Sequence, residues 1–274
     1  MAFFIRFLAA ACVVTSPLPA LSTNANAQAK SQGFIETFSA PLSEDDWYIA
    51  DYDQPKTFIA TRWRTDMVSV RPSDDPNTAG TVTLSLAPNP EQSEKRFVGA
   101  ELQRAGKYGY GDYEVYMQAA KGDGILSSFF TYTGPPFGDP HDEIDFEILG
   151  RDTTKVCINR FVEGTRIPRN WIELGFDAAE GPNLYRFEWR ADRITWFVNG
   201  KQIYNLAAQD ATIPSHPSKI MMNIWAGNKG LYNWLKKPAP DTTAEALYHC
   251  VSFQPEGSDT KTCSEFVNAL QSQN

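Results

Sequence analysis

The sequence predicts an all-β protein built from two antiparallel sheets that pack face to face. Short runs that alternate apolar and polar side chains recur from about residue 33 onward, for example at 81–86, 113–117 and 184–189. Eighteen glycines and eighteen prolines supply residues for the turns between these runs. Neither a long helical periodicity nor a βαβ rhythm occurs in the sequence, which disfavours the helical and α/β classes.

The composition limits the possible functions. Of the 274 residues, 42% are hydrophobic and 21% are charged, which is typical of a globular chain. The formal net charge of -8 disfavours general binding to the phosphate backbone of nucleic acids. No run of about 18 apolar residues occurs beyond the N-terminal region, so we expect no membrane partner after processing. The aromatic content of 13% fits either a large core or rings that stack on sugars or bases.

The first 27 residues have the pattern of a secretory signal peptide. An apolar stretch surrounds the single charge, Arg6, and small residues then lead to an A-x-A cleavage pattern at 25–27. Pro17 and Pro19 argue against the alternative of a buried N-terminal helix. A lipoprotein site at Cys12 fits less well, because this residue lies inside the apolar run. We therefore predict secretion, either outside the cell or into the periplasm.

The remaining residues, 28–274, are predicted to form one domain, because no Ser- or Pro-rich linker divides them. We expect the sandwich at about 34–254 and a tail at 255–274. Within the tail, Thr262 and Glu265 have the spacing of a capping box ahead of an apolar run. This pattern predicts a short C-terminal helix.

One segment alternates acidic and apolar side chains. Glu143, Asp145 and Glu147 are each followed by a large apolar residue. Residues i, i+2 and i+4 of a strand share one face, so the three carboxylates should line one side and the apolar groups should enter the core. Repulsion between the like charges should raise the pKa of at least one of them. A protonated carboxyl beside an ionised one is the pair that hydrolysis of a glycosidic bond needs.

The spacing of these acids sets a condition on the shape of the sheet. Cα atoms four residues apart in a strand are about 13 Å apart, whereas retaining glycosidases hold their two carboxyl groups ~5–5.5 Å apart. The two Glu side chains can close this gap only by leaning together on a concave, twisted sheet. Two alternatives stay open at this point: a solvent-facing polar strand, and a calcium site with further oxygen ligands from loops.

Other elements follow from local patterns. A β-hairpin is predicted at 194–204, because Asn199-Gly200 separates two strand patterns and readily adopts the positive φ values of a type I′ turn. Another apolar strand is expected at 219–225. Exported proteins can form disulfides. Cys250 and Cys263 are close enough in the sequence to be joined.

Cys157, by contrast, lies in a strand-like run and is expected to be a buried free thiol. The sequence contains no CxxC motif, and its three histidines are scattered. A zinc site is therefore not expected.

Several ordered motifs resemble those of glycoside hydrolase family 16, and in particular of its lichenases, which are endo-β-1,3-1,4-glucanases. EIDFE at 143–147 resembles the active-site signature of the family. The other motifs occur in the same order and at similar spacing. They are FVGAE (97–101), YGYGDYEV (108–115), SSFFTYTGP (127–135), LGFDAA (174–179) and KIMMNIW (219–225). The likeness covers about residues 34–254, and its short signature favours the lichenases over the laminarinase and agarase branches.

The resemblance implies a jelly-roll sandwich of the concanavalin A type, with a cleft across its concave sheet and a retaining double displacement. It implies that Glu143 is the nucleophile and Glu147 the general acid/base, and that Asp145 tunes their protonation through hydrogen bonding. The family's substrate-contacting positions correspond to Glu101, Phe130, Tyr132, Asn159, Asn223, Trp225 and Trp234. Each of these aromatics also fits a core residue, and Glu101 also fits a solvated strand residue.

Some positions depart from the lichenase pattern. His141 stands where lichenases carry Trp, and Arg160-Phe161 stands where two Tyr are usual. These departures bear on which sugars the cleft accepts. His249 stands where members of the family often have a calcium-binding Asp. We therefore predict no cofactor, with a structural Ca²⁺ ion left as an open alternative.

A basic stretch follows the acidic segment directly. Residues 151–169 carry five basic and two acidic side chains within an acidic chain. Such a run of charges usually belongs to a solvated loop or hairpin and has no further function. The alternative is attraction of an anionic polysaccharide to the cleft, with Arg160 as a substrate contact. The chain is also similar to the secreted rhizobial glycanases that depolymerise succinoglycan, an acidic exopolysaccharide.

These patterns together predict a secreted endo-β-glycanase, acting as a monomer on an acidic bacterial exopolysaccharide with β-1,3 and β-1,4 links. The alternatives are a lichenase or laminarinase acting on neutral β-glucan, a transglycosylase with the same triad, and a noncatalytic glycan-binding jelly roll. The last would keep the aromatics and lose a catalytic Glu, yet both Glu143 and Glu147 are present.

Overall fold

The computed structural model describes residues 32–75, 78–91, 93–209 and 212–272, so the predicted signal peptide at 1–27 lies outside the described residues. The strands are β1 (Phe34–Glu36), β2 (Trp47–Ile49), β3 (Tyr52–Asp53), β4 (Thr61–Trp63), β5 (Val68–Arg71), β6 (Thr81–Pro88), β7 (Phe97–Arg104), β8 (Gly111–Gln118), β9 (Ile125–Thr133), β10 (Asp142–Leu149), β11 (Lys155–Val162), β12 (Thr165–Arg166), β13 (Asn170–Glu173), β14 (Asn183–Trp189), β15 (Arg193–Val198), β16 (Lys201–Ala207), β17 (Lys219–Ala226) and β18 (Ala244–Pro255). The helices are α1 (Tyr232–Leu235) and α2 (Cys263–Gln271). Neither of them is long enough to cross a membrane, nor is any other helix in the described part of the chain.

Two antiparallel sheets account for most of these strands, which confirms the predicted fold class. In the first, which we call the cleft sheet, the strands are ordered β2-β7-β17-β9-β10-β11-β13. In the second, which we call the outer sheet, they are ordered β5-β6-β18-β8-β14-β15-β16. The sheets also meet at a corner, where β6 pairs with β7 and β4 lies parallel to β7.

The main core lies between the two sheets. The apolar residues of β10 point into it, and Ile144 is fully buried. The ring of Phe146 on β10 lies 5.4 Å from that of Tyr185 on β14, edge to face. Across the same interface, the Tyr248 hydroxyl of the outer sheet donates to the Ser128 carbonyl of the cleft sheet at 2.9 Å. The acidic face of β10 is therefore directed away from the outer sheet, as the alternation predicts.

The predicted hairpin and tail are both present. Asn199 and Gly200 have φ values of 47° and 75°, as a type I′ turn between β15 and β16 requires. Helix α2 begins with the predicted capping box of Thr262 and Glu265. The disulfide Cys250–Cys263 ties this helix to β18.

Candidate active site

A cavity of about 1000 Å³ crosses the exposed face of the cleft sheet. Strand β10 runs through it, and Glu143, Asp145 and Glu147 all line it. Paired residues of neighbouring strands share a face, so each acid of β10 belongs to a row of side chains that runs across the sheet. Asp145 pairs with Phe130 on β9 and with Asn159 on β11. The cleft therefore lies across the strands, with the carboxylates near its middle.

The three carboxylates differ in their surroundings. Asp145 is only 2% exposed, and burial together with the charges of Glu143 and Glu147 raises its pKa well above the usual value. Burial is also the main cause that raises the pKa of Glu147 to about 7, and the charge of Glu143 adds to this rise. At neutral pH, Glu147 is thus able both to donate and to accept a proton, which is the property of a general acid/base.

Arg169 opposes the rise in the pKa of Glu147. Its Nε atom lies 3.5 Å from Oε2 of Glu147. Its guanidinium also lies 4.1 Å from the ring centre of Trp234, in the geometry of a cation–π contact. This contact holds a positive charge beside the acid/base candidate.

His141 contacts the other glutamate. Its Nε2 atom lies 2.5 Å from Oε2 of Glu143, and its ring stacks on Phe161 with centroids 4.3 Å apart. With Glu143 ionised, Nε2 carries the proton and donates to the carboxylate. The residue that departs from the lichenase pattern thus orients the candidate nucleophile.

A hydrogen-bond network surrounds Glu101 at the β7 end of the cleft. Tyr52 and Gln103 donate to its Oε1 atom at 3.1 and 2.8 Å, and Asn223 donates to Oε2 at 3.2 Å. Glu101 is 5% exposed, and burial raises its pKa. The network fixes the side chain of Asn223 as well, because Ser128 donates to its amide oxygen at 2.5 Å. This end of the cleft presents rigid polar groups to a ligand.

Several buried polar atoms in the cleft have no hydrogen-bond partner among the described residues. They include Oδ2 of Asp145, Oδ1 of Asn159 and Nε1 of Trp234. Leaving a buried polar atom unpaired costs about 1–3 kcal/mol. Their concentration along one cavity indicates a site that binds a polar ligand.

Most of the predicted site residues lie together in this cavity. Besides the three acids, its lining includes Glu101, Phe130, Tyr132, Asn159, Asn223, Trp225 and Trp234. The structure therefore brings these side chains to one site. Their individual roles toward a sugar stay predictions.

Our prediction for Arg160 was wrong. On β11 it pairs with Ile144, a core residue, so its side chain points away from the cleft face that carries Asn159 and Phe161. It is 4% exposed, and its Nε atom donates to the Thr212 carbonyl at 3.4 Å. Arg160 is therefore a packing residue and not a substrate contact.

Sequence reasoning also missed several residues that line the cleft. They are Tyr52, Lys56, Phe58, Trp63, Gln103, Ser128, Arg166 and Arg169. The two arginines belong to the basic stretch that the sequence identified, although that stretch did not indicate which arginine reaches the site. Tyr52 carried no signal, because only long-range folding brings it to Glu101.

The position where members of the family often have a calcium-binding Asp carries no carboxylate in this chain. His249 is partly buried, its Nδ1 atom lies 3.2 Å from the Thr81 hydroxyl, and burial lowers its pKa. Ca²⁺ binds oxygen ligands, and carboxylates above all. Over the described ranges, no group of three or more His, Cys, Asp or Glu side chains is arranged to hold a metal ion.

Comparisons with known proteins agree with this geometry. A beta-glucanase of Bacillus amyloliquefaciens is 41% identical over 203 residues, which span 74% of this chain and 79% of that protein. A beta-glucanase of Bacillus licheniformis is 41% identical over 226 residues, which span 81% of this chain and 87% of that protein.

Solved structures show the same relationship. A prokaryotic beta-1,3-1,4-glucanase (lichenase) derived from a mouse hindgut metagenome has a TM-score of 0.74 at 38% identity, over 81% of this chain and 99% of that chain. The sequence model of glycosyl hydrolases family 16 matches residues 60–245, which is more than half of the chain. The chain is therefore a glycoside hydrolase and belongs to glycosyl hydrolase family 16.

Proposed function

We propose that this protein hydrolyses internal links of β-1,3-1,4-glucans by a retaining double displacement. The observation that carries the proposal is the pair of glutamates on one face of β10. Glu147 has a pKa of about 7, and Glu143 accepts a hydrogen bond from His141. The similarity to beta-glucanases and to a solved lichenase supports the class of glucan.

In the first step, Glu143 attacks the anomeric carbon while Glu147 gives its proton to the departing glycosidic oxygen. The bond from this carbon to that oxygen breaks, and a bond to the Glu143 carboxylate forms. Asp145, held protonated by burial and by its two acidic neighbours, hydrogen-bonds to Glu143 and limits the repulsion between the glutamates.

In the second step, Glu147 acts as the base. It takes a proton from a water molecule, whose oxygen attacks the anomeric carbon and releases Glu143. Two inversions at one carbon retain the β configuration. Because Glu147 is protonated again at the end, both glutamates return to their starting states.

Within this reaction, we propose an acidic exopolysaccharide, such as succinoglycan, as the natural substrate and export by the segment at 1–27. What supports the acidic glycan is the position of Arg166 and Arg169 in the lining of the cleft. A neutral lichenan is the second candidate, and it is favoured by the similarity to the lichenase. Hydrolysis and transglycosylation would use the same two glutamates.

The test measures new reducing ends from lichenan, laminarin, xyloglucan and succinoglycan, and follows the anomer first formed by NMR. We expect cleavage of lichenan and succinoglycan with the β anomer appearing first. Glu143→Gln and Glu147→Gln should each lower kcat by at least about a thousandfold, while Glu245→Gln on the exposed outer sheet should have no effect. A folded wild-type protein that cleaves none of these glycans, or that forms the α anomer first, would refute the proposal.

A further inference from the structure

Two arginines line the cleft, one on β12 and one directly before β13, and both of these strands pair with β11. Arg166 on β12 pairs with Phe161 on β11, which in turn pairs with Glu143, so these three residues form a row across the sheet. Arg169 immediately precedes β13 and contacts Glu147. Both arginines line the same cavity as the catalytic candidates. Strands β12 and β13 thus lie about two strand spacings, or roughly 10 Å, from β10, and the side chain of Arg169 extends back to Glu147.

Several other arginines form ion pairs with aspartates, for example Arg62 with Asp51 and Arg64 with Asp66. Within the described ranges, Arg166 forms no ion pair, and Arg169 forms one only with Glu147. Arg169 is thus paired only with a carboxyl whose pKa is about 7, and Arg166 with none of the described carboxylates.

Arg169 is also fixed in position. Its side chain is 24% exposed, and the stack on Trp234 holds the plane of the guanidinium. A guanidinium presents a fork of N–H groups that matches a carboxylate, and a fork already held in place loses little entropy on binding. Arg166 is exposed and contributes mainly by attracting the anion.

We propose that Arg166 and Arg169 form a subsite for a carboxylate carried by the sugar that binds beside Glu147. The inference rests on the proposed function, since it assigns the acidic part of the substrate to particular residues. The carboxylate belongs either to a uronic acid ring or to an acidic substituent on a neutral ring.

The subsite has a consequence for the reaction. A substrate carboxylate that accepts hydrogen bonds from Arg169 offsets its positive charge. The proton on Glu147 is then held more firmly, because the opposing cation is neutralised. An acidic glycan should therefore be cleaved up to a higher pH than a neutral glycan.

The experiment uses three forms of one glucan: neutral lichenan, lichenan partly oxidised to carboxylates at C6, and lichenan partly succinylated to the same charge density. We measure kcat/KM for each form with the wild type, Arg166→Gln, Arg169→Gln and the matched control Arg193→Gln. Arg193 is an exposed arginine of the β14–β15 hairpin and does not line the cavity. Each acidic form is compared with the neutral form within one variant, so a general loss of activity cancels.

For at least one acidic form, we expect the acidic-to-neutral ratio to fall about tenfold in Arg169→Gln and by a smaller factor in Arg166→Gln, with no change in Arg193→Gln. The form that responds identifies the source of the carboxylate. In the wild type, added salt should also reduce the ratio, because it screens an exposed charge. Equal ratios in all four proteins for both acidic forms would overturn the inference.

Dissociation constants in a Glu143→Gln background separate this inference from the proposed function. Calorimetry with oligosaccharides of the same three forms should show about tenfold weaker binding of the acidic form once Arg169 is replaced. This result would support the subsite even if no glycan were cleaved, whereas unchanged binding would overturn it. Arg166→Gln changes only an exposed residue, so this variant provides the binding test if the Arg169→Gln protein fails to fold.

Discussion

At the scale of single residues, each of the two glutamates of β10 has a different polar or charged partner. His141 lies against Glu143, and Arg169 lies against Glu147. Each partner acts on one protonation state. In the proposed mechanism, the imidazole donates to the carboxylate that must stay ionised, and the guanidinium opposes the burial that keeps the other carboxyl protonated.

Arg169→Gln should move the alkaline limb of the pH profile on neutral lichenan to higher pH. The cation lowers the pKa of Glu147, so its removal raises that pKa, and kcat/KM needs Glu147 protonated in the free enzyme. The measurement is kcat/KM from about pH 5 to about pH 9. Arg193→Gln serves as the control with an unmoved limb. An alkaline limb that stays in place or moves to lower pH would contradict the assigned role of Arg169.

His141→Phe should lower kcat/KM on lichenan by roughly 10- to 100-fold. The phenyl ring preserves the stack on Phe161 but loses the hydrogen bond to Glu143, and a bond to a charged group contributes about 1.5–3 kcal/mol. His141→Gln, which keeps a donor, should restore part of this loss. If His141→Phe is as active as the wild type, the imidazole does not position the nucleophile.

At the scale of elements, the pairing of β10, β11 and β13 determines how far the cleft extends. Trp171 on β13 pairs with Cys157, which pairs with Glu147, so its indole belongs to the cleft face. It is 43% exposed, an unusual position for so large an apolar ring. An exposed ring in line with the cleft is suited to stack on a sugar.

Trp171→Ala should therefore weaken the cleavage of long glucans more than that of short ones. The variant loses one stacking interaction, which contributes about 0.5–1.5 kcal/mol to binding. KM for lichenan should therefore rise roughly 2- to 10-fold. A short oligosaccharide that does not reach β13 is the internal control. An equal change for the polymer and for the short oligosaccharide would place Trp171 outside the binding path.

At the scale of the whole molecule, the buried acids of the cleft suit the proposed reaction but reduce the stability of the folded protein. Glu101, Asp145 and Glu147 all have raised pKa values because the fold buries them. A carboxyl whose pKa is higher in the folded state costs stability as the pH rises above its unfolded pKa, and the loss is complete above its folded pKa. The free protein should thus lose stability as the pH rises from 4.5, the ordinary pKa of a Glu, to about 7, where Glu147 ionises.

Glu147→Gln should accordingly raise the free energy of unfolding at about pH 8 by about 1–3 kcal/mol, and much less at about pH 5. Glutamine resembles the protonated acid and ionises in neither state, so the gain grows with pH as the wild type loses stability. Urea unfolding at the two pH values measures it, with Glu245→Gln on the exposed outer sheet as the control. A gain that is equal at both pH values would point to packing rather than to charge.

Local patterns were sufficient for the fold class and for the strand that carries the three acids. The alternation in 143–148 identifies the acidic face of β10, because the period of two is a property of the backbone itself. The same holds for the turn at Asn199-Gly200 and for the capping box of α2. The disulfide Cys250–Cys263 also joins residues that are near in sequence.

Local patterns did not predict on which face of β11 the side chain of Arg160 lies. The run at 156–158 is apolar on both faces, since the core covers one face of β11 and Cys157 is buried on the other. Alternation therefore could not say which residues face the sugar. Only the pairing of Arg160 with Ile144 decided it.

The sequence by itself determined an all-β chain with three acids on one face of a strand and a basic stretch after it, because these features depend on neighbours in the chain. The tertiary structure decided which distant side chains meet those acids. Tyr52 reaches Glu101, and Arg169 reaches both Glu147 and Trp234, across separations in sequence that no local pattern encodes. Burial in the folded cleft, together with the charge of Glu143, raises the pKa of Glu147 to about 7, and the charge of Arg169 opposes that rise.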